Sequence, residues 1–126
     1  ARAAESEDAA GRTEISRLLG QAERDARRIE REGMPWGHAL AQLVRAGVAA
    51  SAGDADSALA LAGSADEQLR DLEMKLHAAA ARRRRGELLG GEEGGALIRV
   101  SDAWMAEQGI KDPSRITAML VPGRWC

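Results

Sequence analysis

Four consecutive arginines, Arg82–Arg85, are the densest concentration of reactive side chains in this sequence. Guanidinium groups present a planar fork of donors that matches phosphate and carboxylate oxygens, so the run could hold a phosphate or an acidic peptide. Helix geometry favours a plainer use. Successive helix residues point about 100° apart, so four in a row wrap round the axis and do not line one surface. Their stems would cover Ala-rich surface while the heads pair with Glu67, Asp71, Glu87 or Glu92. Glu92-Glu93 and the cluster Glu5, Glu7 and Asp8 stand at or before helix starts, where they suit the positive end of the helix dipole. No nucleophile or base accompanies them as a catalytic pair would require. His38 and His77 hold matching places in an internal repeat. Zinc needs three or four ligands, and only Cys126 or carboxylates could complete that set, so structural histidines are expected, with no metal and no cofactor. Gly90-Gly91 lacks the GK[ST] that follows in a phosphate loop. Trp36 and Trp104 could be recognition aromatics, but in a chain without Phe or Tyr they read as bulky fillers of an Ala-rich core. Nothing assembles a nucleophile, a base and oxyanion donors, so no enzyme is expected.

These side chains must be positioned by helices. The apolar residues of this 126-residue chain are mainly Ala and Leu, which form helices well, and the β-branched and aromatic residues that favour strands are scarce. An all-α domain is expected. Eighteen basic residues against twenty acidic ones leave a net charge of -2, without the positive excess of a nucleic-acid binder. No apolar run is long enough to span a membrane, no secretory signal is present and one cysteine cannot form an internal disulfide, so a cytoplasmic setting is expected. The chain begins without Met in the polar stretch Ala1–Arg12, read as a tail or the edge of a fragment.

The spacing of Ile15, Leu18, Leu19, Ala22, Ala26 and Ile29 predicts a helix from Thr13 to Glu32, with Gly11 as a boundary and Gly33 and Pro35 as stops. A second helix is expected over Trp36–Ala52, with Leu40, Leu43, Val44, Gly47 and Val48 inward. A third carries Ala58, Ala62, Ala65, Leu69, Leu72 and Leu76 after the Gly53-Asp54 turn. No Pro or Gly ends it, and a break is expected near Glu73–Lys75. A fourth helix follows over Leu76–Leu89 and a fifth over Glu92–Gln108, with Leu97, Val100, Trp104 and Ala103 inward. Asp112-Pro113 opens a short helix to Leu120. The helical domain therefore spans 13–121, and 122–126 is a tail.

An internal repeat organises these helices. Gly53-Asp54 set over Gly91-Glu92 brings Ala58 onto Ala96 and Ala65 onto Ala103, 38 residues apart. The unit of helix, tight turn, helix and break resembles the tetratricopeptide repeat of about 34 residues. Ala46, Gly53-Asp54, Ala58 and Ala65 carry the resemblance, with Pro35 near the proline that ends a preceding unit. The next unit keeps Ala96 and Ala103 but has Arg83-Arg84 where a small residue is expected, and the large Trp, Leu and Tyr positions are not kept. The stretches Leu76–Gly91, Asp102–Ile110 and Asp112–Gly123 further resemble the ends of large bacterial serine/threonine kinases and ATPase-type regulators. None of the kinase motifs GxGxxG, HRD or DFG is present.

The resemblance implies a short α-solenoid of antiparallel helix pairs with a capping helix, acting as a non-catalytic protein–protein interaction scaffold in a bacterial signalling protein. Such a stack binds a protein or peptide in its groove. Gln42, Arg45, Arg82 and Arg85, on the first helices of the two pairs, are the expected contact residues. The alternatives are a helical bundle that self-associates as a homo-oligomer, and a nucleic-acid regulator using Arg82–Arg85.

Overall fold

The computed structural model describes residues 2–125, with side chains for residues 13–125. Among the described residues there are six helices and no strand: α1 (Arg2–Arg31), α2 (Gly37–Ser51), α3 (Ala55–Asp71), α4 (Lys75–Leu89), α5 (Gly91–Glu107) and α6 (Pro113–Leu120). The all-α expectation holds. Each of α1–α5 packs against its chain neighbours, and α6 rests on α4 and α5. Helices α2, α4, α5 and α6 fall within two residues of their expected limits, while α3 stops at Asp71, before the Leu72 and Leu76 assigned to it. Helix α1 does not start at Thr13; it runs straight through Gly11 for 30 residues. One glycine costs a helix about 1 kcal/mol relative to Ala, which weakens the helix without stopping it.

The break expected near Glu73–Lys75 is present, between α3 and α4. Three helices end in the same way. The amides of Gly53 and Asp54 bond to the carbonyls of Ala50 and Ala49, those of Glu73 and Met74 to Arg70 and Leu69, and those of Gly109 and Ile110 to Ala106 and Met105. This paired closure requires a left-handed residue just past the helix. Glycine fills it twice, at φ 83° and 82°, but α3 uses Glu73 at φ 62°. The α3 stop is therefore silent in composition.

The 38-residue register does not survive. Ala58, Ala62, Ala65 and Leu69 form the buried face of α3 as expected. Their counterparts Ala96 and Ala103 are exposed, and Val100, also expected inward, is 56% exposed. Helix α5 instead turns Gly94, Ser101 and Met105 inward, with Ile98 beside them, a spacing of 36 from the α3 face. The cause is the connection. Three residues, Ala52–Asp54, join α2 to α3, whereas Gly90 alone joins α4 to α5. That two-residue saving rotates the α5 face.

Gly90 and Gly91 sit at φ 64° and 60° to make this turn. One turn away on either side, α4 and α5 touch backbone to backbone. A Cβ at Gly86 would stand 2.6 Å from the Gly94 carbonyl oxygen, and one at Gly94 would overlap the Gly86 carbonyl.

After α6 the chain doubles back over α2, correcting the expected tail. Val121 and Trp125 are fully buried. The Arg124 amide donates to Ser51 Oγ at 2.9 Å, and Arg84 Nε donates to the Val121 carbonyl at 2.8 Å. Pro122 O lies 2.7 Å from where a Cβ of Gly47 would stand, so this close passage uses the missing side chain of Gly47.

Candidate binding site

The four expected contact residues do not share a surface. Arg45, on α2, faces α1 and bonds Glu23 at 3.0 Å and Glu30 at 2.5 Å. Arg82 and Arg85, on α4, face α3 and approach Asp66 at 3.4 Å each. Gln42 is partly buried, and its Oε1 has no hydrogen-bond partner. The arginine run is divided by the helix as its geometry requires. Arg83 bonds Asp102 and Glu87, while Arg84 bonds Glu87 and lies 5.7 Å from the centre of the Trp125 ring. Of the expected partners only Glu87 is used; Asp66, Asp102 and the Val121 carbonyl replace the others.

Histidines and tryptophans also separate. His38 Nδ1 lies 3.1 Å from Glu30, whereas His77 is partly buried and its pKa is lowered by that burial. Cys126 lies outside the described residues, and no group of three metal-binding side chains occurs among those described. Trp36 is no core filler, being 44% exposed; Trp125 is the buried indole and Trp104 is half-buried. Glu92 and Glu93 occupy the first turn of α5, as the dipole argument requires. Glu5, Glu7 and Asp8 lie outside the described side chains.

The Arg45 pairing fixes a pH response. Its guanidinium holds the Glu30 carboxyl at about 2, below an ordinary 4.5, and its own pKa is raised in return. A depressed acid stabilises the fold above its unfolded pKa and loses that contribution as pH falls through the folded one. The α1–α2 contact should therefore weaken as pH drops from 4.5 towards about 2. In Arg45→Met, the urea midpoint should fall less steeply over that window than in the wild type; parallel slopes would dismiss the pair as an anchor.

One open surface is apolar. A groove of about 840 Å³ runs between α1 and α2, bounded by Ile15, Leu18, Leu40, Val44 and Val48, with the returning segment Leu120–Arg124 along its edge. Ile15 and Leu18 stay 44% and 53% exposed although they belong to the helix's apolar stripe. The reason is length: α1 has 30 residues and α2 has 15, so α2 can cover only about half of its neighbour. The sequence reading identified the stripe and assigned it to the core.

No helix among the described residues is long and apolar enough to cross a membrane. Comparison with protein-family models, with curated proteins and with solved structures finds no match to this chain.

Proposed function

We propose that the chain is a non-catalytic protein-interaction module of tetratricopeptide-like architecture, and that the α1–α2 groove receives an amphipathic helix from a partner protein. The observation that carries this reading is the exposed stripe of Ile15 and Leu18 above an apolar groove. Val100 and Met119 are more exposed still, but neither lines this groove. A partner helix laid along α1 would supply the cover that α2 is too short to give. The antiparallel neighbour-on-neighbour packing and the Gly53, Ala58 and Ala65 turn support the solenoid reading. Membership in a bacterial cytoplasmic signalling protein rests on the C-terminal stretches. The non-catalytic reading rests on the lack of any nucleophile–base constellation in the sequence.

The same stripe favours self-association as the second reading. A synthetic helical peptide with Leu at i, i+3, i+4 and i+7, titrated against the labelled chain, should shift the methyl signals of Ile15, Leu18, Val44 and Val48. Leu18→Glu, at an exposed position, should weaken binding at least about tenfold while leaving helicity intact. No response to the peptide, in a chain that light scattering shows to be monomeric, would remove the groove. A dimer dissolved by Leu18→Glu would establish self-association in its place.

A further inference from the structure

Where α3 turns into α4, three cations converge on a second cavity of about 330 Å³. Arg70 comes from the end of α3, Lys75 and Arg82 from α4, and Glu73 stands at the rim; Ala78 and Ala79 line it, with Trp104 of α5 as a wall. Beside it Asp66 is 1% exposed, approached by Arg70 at 3.2 Å and by Arg82 and Arg85 at 3.4 Å each. One carboxylate cannot saturate three guanidinium groups, each with five N–H donors. Nor are these contacts close. Arg83 and Arg84 on the same helix reach their carboxylates at 2.7–2.8 Å. The nearest carboxylate to Lys75 is Glu73 at 3.8 Å, both side chains being mostly exposed. Three cations (Arg70, Lys75, Arg82) therefore line the pocket against Glu73, with Asp66 behind them shared also by Arg85, which leaves the pocket positive.

We propose that this pocket receives the phosphorylated side chain of a partner peptide. A phosphomonoester carries about -1.5 to -2 charge near neutral pH and three acceptor oxygens, one for each lining cation, where a carboxylate offers two. The Trp104 wall and the two alanines meet the carbon stem that carries the phosphate. The pocket shares no lining residue with the α1–α2 groove, so either surface can fail without the other.

The test uses the full chain labelled with ¹⁵N, observing the Trp104 indole and Arg82 Nε–H signals. The probes are acetyl-Ala-phosphotyrosyl-Ala-amide, its unphosphorylated form, inorganic phosphate and benzoate. The phosphopeptide should produce saturable shifts at both signals that weaken with added salt, while the unphosphorylated peptide and benzoate bind at least about tenfold more weakly. Arg82→Gln should lose about tenfold in affinity. Lys75→Gln alters a mostly exposed side chain and leaves the Asp66 cluster whole, so its expected loss of severalfold separates recognition from folding. Benzoate binding as tightly as the phosphopeptide would overturn the proposal. So would inorganic phosphate matching the phosphopeptide, which denotes a free-anion site. Shifts confined to Arg24, Arg27, Arg28 and Arg31, exposed together on α1, or unchanged affinity in Lys75→Gln, would overturn it equally.

Discussion

Gly94→Ala is expected to lower the unfolding free energy by about 3 kcal/mol, although it would improve helix propensity. The added methyl meets the Gly86 carbonyl oxygen, and a backbone atom cannot rotate away as a side chain would. Relief requires α4 and α5 to separate, yet Gly90 alone joins them. The neighbouring Gly95→Ala supplies the comparison. Its Cβ would approach Arg99 Nη1 at 3.3 Å, the far end of a flexible side chain, so stability should stay level or rise by up to about 1 kcal/mol. Urea titration of both variants decides the matter: similar curves for the pair would mean that α4 and α5 are not in backbone contact.

Trp125→Ala should cost about 4 kcal/mol, the usual scale for emptying a large buried aromatic site. Trp125 is 2% exposed, its Nε1–H donates to the Pro122 carbonyl at 3.3 Å, and the Arg84 guanidinium lies over its ring. Removing it leaves a cavity and releases the segment that crosses α2. Trp36→Ala is the contrast, since that indole is 44% exposed and should change stability by no more than about 1 kcal/mol. Equal losses from the two substitutions in thermal unfolding would contradict the placement of Trp125.

Most helix limits were legible because they are local, but the start of α1 was not, since Gly11 is no boundary. Asp112-Pro113 and Gly33 state their ends in residue types, and the 3.6-residue periodicity states most of the faces. Features without a local signature were not legible. Glu73 adopts a left-handed conformation that its side chain does not favour, so no residue type marks the stop between α3 and α4. The α5 face turned on the length of one connection, and two adjacent glycines could equally be the end of one turn or the start of another helix. Among the candidate contact residues, Arg82–Arg85 were legible as a charged run, but their partners were not. Asp66 and Asp102 lie on neighbouring helices, and selecting Asp102 needs the α5 rotation that the 38-residue register misjudged. The groove was hidden for a related reason: an apolar stripe carries no mark of whether a neighbour is long enough to cover it.

The return of Arg124 to Ser51 spans 73 residues in a chain whose helices otherwise meet mainly their neighbours. A stack held by adjacent contacts can fray from either end, each unit melting nearly on its own. Tying residues 121–125 back onto α2 couples the C-terminal contacts to an early helix, so opening either end exposes surface at both. Helices α2–α6 then behave as one cooperative unit, while the part of α1 beyond the reach of α2 stays outside that closure and can exchange its amide hydrogens without disturbing it.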